Sequence, residues 1–359
     1  MRFAQLCRAA AAAGLAACPS CLAGEGGGAA SFLTTREVVI ENPKSPGVRL
    51  AGMLELPPAP GPHPAIVILG GSGAQDRDGA DAQSDNRRLY AEWSGRFRAA
   101  GFAVLRLDDR GVGGSTGEYE RATVKDLAGD AAAAVSFLRT QPDVDPLRVG
   151  FVGHSEGAVV AALAAPDVRP AFAVLASGPA VRWEDFYREQ YRMLQTLAGD
   201  SAEDIEFNQR FLAAAFETLR RMQSASDEET RAAMHETFKL LGLDPKLGAD
   251  TLSSPPWRAL AALDMPAVFR EIGAPILAIY GAKDRQVSPA QNAGALIAAM
   301  AEAPPLGSKV IVLDGHNHLL QTAETGAPEE YETIKEAISP AASRAMTEWA
   351  REITGVDRS

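Results

Sequence analysis

The sequence predicts a doubly wound α/β protein with a helical insertion, on three observations. Six short apolar runs rich in β-branched residues recur along the chain, with helical patterns between them. Each run is apolar on both faces, as a strand buried in a parallel sheet must be. One interval, 181–271, breaks that rhythm and carries helical periodicity without any strand signal. With 359 residues, 46% of them hydrophobic, the chain can bury a core of that size.

In chain order, two stretches of alternating polarity, TTREVVIE and VRLAGMLEL, read as antiparallel strands. The Pro-rich PPAPGPHP then leads to the six core strands: PAIVILGG (64–71), GFAVLRLDD (101–109), RVGFVGHS (148–155), AFAVLASG (171–178), APILAIYGAKD (274–284) and KVIVLDG (309–315). In the interval after the fourth run, Trp183, Tyr187, Tyr191, Leu194 and Ala198 follow three-to-four spacing, and so do Phe211, Ala215, Leu219 and Met222. A parallel crossover needs only about 12 residues, so this stretch is expected to be a cap between two core strands.

The first 23 residues differ from the rest. Arg2 and Arg8 precede a weakly apolar alanine run, then a small-residue segment, the order of a secretory signal. LAAC at Leu15 to Cys18 resembles a lipoprotein cleavage box, which would acylate Cys18. The expectation is an exported protein, periplasmic or secreted. Cys7, Cys18 and Cys21 all lie here, so the rest of the chain holds no disulfide, thiolate nucleophile or cysteine metal site. A net charge of −11 argues against nucleic acid and anionic membrane as partners. Past the N-terminus no apolar run reaches 18 residues, so no membrane span is expected.

Gly153-His154-Ser155-Glu156-Gly157 fits G-x-S-x-G between a predicted strand and the helix former AVVAALAA. That setting puts Ser155 on a sharp strand-to-helix turn with its hydroxyl exposed, the arrangement of a nucleophile rather than of an ordinary turn serine. The histidine and glutamate beside it cannot complete a triad, because successive side chains on a tight turn diverge. Glu156 is expected to act through its backbone N–H as one arm of an oxyanion hole, and His154 to pack or hydrogen-bond beneath the turn. Acid and base should follow later strands. GAKDRQVS places Asp284 at a strand's carboxyl end, whereas the rival Asp314 is too close in sequence to the histidines to reach behind one. DGHNHLLQ offers His316 and His318, and spacing does not choose between them. Of the other histidines, His63 precedes a strand at the wrong end of the sheet and His235 lies in the insertion.

The segments GGSGAQDRDG, LRLDDRGVGGSTGE, VGFVGHSEGA, LAIYGAKDRQVSP, LDGHNHLLQ and YETIKEAISPAA resemble those of the alpha/beta hydrolase superfamily, and are most similar to bacterial EstD-type serine carboxylesterases. The resemblance runs from about residue 65 to the C-terminus, departing at Ala74 and Gly70. It implies the alpha/beta hydrolase fold, and through the pattern N-H-L-x-Q it assigns the base to His318. In that fold the loop after the first core strand supplies the second oxyanion N–H, here that of Ser72.

That loop is also acidic, with Asp76, Asp78, Asp81 and Asp85, but its spacing fails an EF-hand, so no metal is expected. Arg77 is expected to pair with Glu156 or Asp109. DDRGVGGSTGE lacks the GK[ST] of a phosphate-binding loop and reads as a supporting network of Asp108, Asp109 and Arg110.

The organisation expected is a signal at 1–23, a hydrolase core at 31–180 and 272–359, and a helical cap at 181–271. Trp183, Phe186 and Tyr187, at the cap's entry, are expected to meet the acyl chain of a small-molecule ester. The chemistry is cofactor-free hydrolysis of short-to-medium acyl esters by Ser155, Asp284 and His318. A thioesterase, acyltransferase or small-peptide hydrolase would use the same residues. A catalytically silent protein holding an apolar ligand under the cap would not need them.

Overall fold

The computed structural model describes residues 35–80, 88–300, 305–331 and 333–356. The expected signal at 1–23 with Cys18, and Asp81 and Asp85 of the acidic loop, lie outside the described residues.

Eight strands form one sheet in the order β1-β2-β4-β3-β5-β6-β7-β8. They are β1 (Thr35–Glu41), β2 (Arg49–Glu55), β3 (His63–Leu69), β4 (Ala103–Leu107), β5 (Val144–His154), β6 (Ala173–Ala176), β7 (Ile276–Gly281) and β8 (Lys309–Leu313). The first two pair antiparallel with each other, β2 runs antiparallel to β4, and every other pairing is parallel. All eight were legible as strands. β5 begins four residues earlier than expected, and despite Pro146. Val144 pairs with His63 but Val149 pairs with Ala65, so the residues between bulge out of the ladder and Leu147 is left in solvent.

The helices are α1 (Leu89–Ala99), α2 (Val124–Leu138), α3 (Glu156–Val168), α4 (Trp183–Leu197), α5 (Ala202–Arg221), α6 (Asp227–Leu240), α7 (Ala249–Leu252), α8 (Pro255–Ala261), α9 (Met265–Arg270), α10 (Pro289–Met300) and α11 (Pro340–Thr354). Alternation along the strands divides the core in two. On β3, Ala65 and Val67 face the apolar layer of α2, α3 and α10, while Ile66 and Ile68 face that of α1 and α11. Alanines 131–134 of α2 and Ala158, Ala161 and Ala165 of α3 are buried where these two helices pack, since small side chains let them approach closely.

Helices α4 to α9 fill the interval 181–271, with no strand among them. Their buried residues, Phe211, Phe216, Met234 and Phe238 among them, join the same apolar cluster as the sheet. Helix α8 meets α2, and α9 meets α3. Chain entry to this interval is pinned by polar contacts. Asn292 Oδ1 accepts the Ala180 N–H at 2.7 Å, and the Tyr280 hydroxyl donates to the Gly178 carbonyl at 2.9 Å.

The parallel sheet reverses its building direction between β3 and β5: β4 adds on one side of β3, β5 on the other. In open α/β sheets ligands bind in the crevice at the carboxyl ends beside such a switch point. Here the loop after β3 (70–80) and the turn after β5 occupy it.

Candidate active site

Ser155 follows the last residue of β5 and precedes the first of α3, at φ 52 and ψ −118. This is a strained conformation for a residue with a side chain, and it persists because the surroundings over-determine it. The flanking glycines have a steric reason. A Cβ on Gly153 would lie 2.3 Å from the Gly157 carbonyl oxygen, and one on Gly157 2.3 Å from that of Leu69. Ser155 N–H donates to the Ala176 carbonyl at 2.8 Å, which ties the turn to β6. The N–H of Glu156 is at the first position of α3, where a helix supplies no acceptor of its own.

Asp284 and His318 come together from loops after β7 and β8. His318 Nδ1 stands 2.9 Å from Asp284 Oδ2, both residues being buried. The N–H groups of Gln286 and Val287 donate to Asp284 Oδ1, each at 2.8 Å, and fix the carboxylate plane. With Oδ2 accepting, Nδ1 carries a hydrogen. The asparagine and glutamine of the N-H-L-x-Q pattern hold the loop that carries its histidine. Asn317 Oδ1 accepts the N–H groups of Leu319 and Gln321 at 3.0 Å, and its amide donates to Gln321 Oε1 at 2.8 Å. The staple forces Leu320 to φ 59 and presents His318.

The other histidines are engaged elsewhere. His316 Nδ1 lies 2.7 Å from the Asp314 carbonyl, and its Nε2 lies 2.7 Å from Oγ of Ser339, the residue that caps α11. His235 pairs with Asp250 at 2.7 Å, and His63 opens β3 at the amino end of the sheet. His154 lies under the turn, its ring centroid 4.9 Å from that of His318.

The loop after β3 is held by its own N–H groups. Gly71 donates to the Tyr90 hydroxyl (2.8 Å), Gly73 to that of Tyr119 (3.0 Å), Gln75 to Asp109 (2.9 Å) and Arg77 to Asp108 (2.9 Å). Among the described residues, the Ser72 N–H has no hydrogen-bond partner. Its hydroxyl donates to Glu156 Oε2 at 2.7 Å, so the Glu156 side chain meets this loop.

The expected partner of Arg77 is corrected: it is neither Glu156 nor Asp109. Its guanidinium grips Asp108 through two bonds, at 2.9 and 2.7 Å. Both aspartates bond this loop, but at different residues: Asp108 takes the Arg77 N–H and guanidinium, and Asp109 the Gln75 N–H. Burial opposes the charge on Asp108, but Arg77 and the Gly114 N–H outweigh it and hold the carboxyl below its ordinary value. Among the described residues, no cation pairs with Asp109. Burial, reinforced by Glu156, Asp130 and Asp108 nearby, pushes it up to about 7 despite the Gln75 N–H. Burial also raises Glu156, against the pull of the Ser72 hydroxyl. Arg110 is taken by Asp130, at 2.7 and 2.8 Å. A cavity of about 60 Å³ lies among Asp109, Tyr119, Asp130 and Glu156. Asp76 and Asp78 are also spent within the protein: Asp76 accepts the N–H groups of Asp78 and Ala80, and Asp78 binds Arg88 and Arg106.

Trp183 and Phe186 are each 5% exposed, 4.9 Å apart by ring centroids, within the apolar cluster that joins α4 to the sheet. Tyr187, next in line, is half-buried and touches Trp257 edge-on at 4.7 Å and Tyr191 at 4.6 Å. Sequence reasoning passed over Tyr90, Tyr119 and Tyr331. The Tyr331 hydroxyl takes the Gln286 side-chain amide at 3.1 Å, and burial, with Asp284 nearby, raises its phenol.

Residues 84–325 match the family described as serine aminopeptidase, S33. Over 283 residues the chain is 26% identical to the esterase EstD of Thermotoga maritima, covering 79% of this chain and 61% of that protein. Over 142 residues it is 35% identical to an uncharacterized protein of Mycobacterium tuberculosis, covering 40% of this chain and 45% of the other. The matches thus span between about half and three-fifths of these relatives' lengths. Among solved structures, the DcsB complex with its substrate analogue superposes with a TM-score of 0.56 at 20% identity, covering 90% of this chain and all of that one. A Pyrococcus furiosus esterase does so with a TM-score of 0.54 at 16% identity, covering 94% of this chain and 97% of that one. These likenesses show the alpha/beta hydrolase fold.

Proposed function

We propose, because the chain belongs to the alpha/beta hydrolase family described as serine aminopeptidase, S33, that it is a serine hydrolase of carboxylic esters with short-to-medium acyl chains. The observation that supports this reading is the buried His318–Asp284 pair at 2.9 Å, with the His318 ring 4.9 Å from that of His154, the residue before a serine held at φ 52. Ser155 Oγ attacks the acyl carbonyl and gives its proton to His318 Nε2. Asp284 holds the imidazole tautomer and stabilises the imidazolium. The N–H groups of Ser72 and Glu156 receive the oxyanion. His318 then protonates the leaving alcohol, and a water activated by the same nitrogen releases the acid from Ser155. The resemblance to EstD-type esterases supports the ester as substrate.

Helices α4 to α9 then act as the cap, and Tyr187, the least buried of the three entry aromatics, is the one we assign to the acyl chain. A second reading, release of an N-terminal residue from a small peptide, is favoured by the family description. Fluorophosphonate labelling of Ser155, followed by p-nitrophenyl esters of increasing chain length and aminoacyl p-nitroanilides, tests both. Turnover of esters with no labelling of Ser155 would sink the mechanism; anilide turnover above ester turnover would exchange the two substrates. We also read residues 1–23 as directing export, which fractionation of the expressing cell tests.

A further inference from the structure

We propose that His154 is a positioning residue, a buried neutral imidazole that spaces the base loop and the oxyanion loop about the nucleophile. The inference rests on the reading of Ser155, Asp284 and His318 as a triad. His154 ends β5, is 4% exposed, and directly precedes Ser155. Its Nε2 is 3.2 Å from the backbone oxygen of His318. A carbonyl only accepts, so Nε2 carries the hydrogen and Nδ1 is left as the acceptor. The Tyr90 hydroxyl accepts the Gly71 N–H at 2.8 Å and donates its one hydrogen to Gln75 Oε1 at 3.0 Å, and its oxygen lies 3.4 Å from His154 Nδ1. One imidazole thus bonds the backbone of the base and rests against the hydroxyl that holds two residues of the loop after β3.

The spacing is close. A Cβ on Gly71 would come within 3.3 Å of both His154 Nδ1 and Ser155 Cβ, so the loop backbone rests on the elbow itself. A shift of His154 therefore moves the acceptor of the serine proton and the Ser72 N–H relative to Ser155. Misplacement by about 1 Å costs on the order of 10²-fold in rate.

Neutrality is part of the role. His318 becomes cationic as it takes the serine proton, and a second cation at a ring distance of 4.9 Å would oppose that. Burial, with His318 beside it, pushes the His154 pKa down to about 3, so the ring stays uncharged wherever the enzyme works. Trp93, edge-on at 5.8 Å, closes the pocket on another side. A ring needed only to fill space would do equally well as phenylalanine.

The test uses the full chain with p-nitrophenyl butyrate, active sites being counted with a fluorophosphonate. In His154→Phe, kcat per labelled site falls about 10–100-fold while KM stays within about threefold. In His154→Gln, whose amide nitrogen reaches the place of Nε2, most of the loss is restored. Phe at wild-type kcat, or Gln no better than Phe at equal melting temperature, would overturn the proposal. Should His154→Phe not fold, Tyr90→Phe removes only the hydroxyl between Gly71 and His154. It is expected to lower kcat with KM unchanged, and an unchanged kcat overturns the proposal as well. Ser155→Ala, run alongside, separates the two readings: activity retained there refutes the triad, whatever the His154 variants do.

Discussion

The loops at the carboxyl edge of the sheet and the helices of 181–271 are held in place by different means. Around Ser155, backbone groups are pinned one at a time by buried or half-buried side chains: Tyr90 on Gly71, Tyr119 on Gly73, Asp109 on Gln75, Asn317 on Leu319 and Gln321. In the insertion, amphipathic faces do the holding, with Phe211, Phe216, Met234 and Phe238 packed together and ion pairs such as Arg192–Glu189 on the outside. Directional bonds fix positions to fractions of an ångström, whereas apolar packing fixes a volume and tolerates exchange of one hydrocarbon shape for another. The first region suits the placement of reacting atoms. The second suits a surface whose fit to substrate can drift while the chemistry stays.

If that contrast holds, substitutions at the edge should lower turnover with little loss of stability, and substitutions in the insertion the reverse. The largest effect is expected for Ser155→Ala, which should lose about 10⁴-fold or more in kcat with an unchanged melting curve; His318→Ala should lose nearly as much. A tenth of wild-type activity in either, measured on purified protein, removes that residue from the mechanism. Trp183→Ala comes next. Emptying a site that is 5% exposed should cost about 3–5 kcal/mol in urea unfolding. Because Trp183 bolts the insertion to the sheet, the acyl-length profile should change less than in Tyr187→Ala. A profile flattened by Trp183→Ala alone would place the acyl site deeper than the half-buried surface.

A smaller effect tests the edge from the side of charge. Asp109 titrates near 7 when folded and near 3.9 when unfolded, so the folded state holds the extra proton between those values. Its contribution is therefore full below about pH 4 and is lost as pH rises to about 7, up to about 4 kcal/mol in all. Asp109→Asn keeps an acceptor for the Gln75 N–H and removes the charge. The difference in stability between variant and wild type should grow over that window and level off above it. A difference independent of pH would mean that Asp109 is solvated. The smallest effect is expected for His316→Ala. It loses its contacts with Asp314 and Ser339, about 1–2 kcal/mol of stability, with kcat within a few-fold of wild type. A loss as deep as that of His318→Ala would exchange the roles of the two histidines.

Much of this arrangement could be read in advance, and the gaps have identifiable causes. The strands were visible because burial on both faces leaves an uninterrupted apolar run. Ser155 was visible because its turn tolerates only glycine at 153 and 157. Asp284 followed from its place after a strand. His316 and His318 could not be told apart by spacing, since what separates them is the Asn317–Gln321 staple and the Ser339 hydroxyl, contacts across the fold. The partner of Arg77 was misjudged because Asp108 and Asp109 are adjacent in sequence and both bond the loop after β3, Asp108 at Arg77 and Asp109 at Gln75, a division that only the folded loop makes. Tyr90 and Tyr119 left no signal: one hydroxyl on a helix or in a turn has no period, and its importance lies wholly in the N–H it meets.

The bond from His154 to the His318 carbonyl joins residues 164 positions apart, and it cannot form until β7 and β8 have docked on a sheet begun far earlier in the chain. Contacts of such separation are slow to make, since a long segment must be closed before any of them is rewarded. In refolding, helix and strand signals should thus recover first, while Ser155 stays inert until the last strand arrives. Fluorophosphonate labelling should lag circular dichroism, and the interval between the two is the time the chain spends folded in outline and chemically silent.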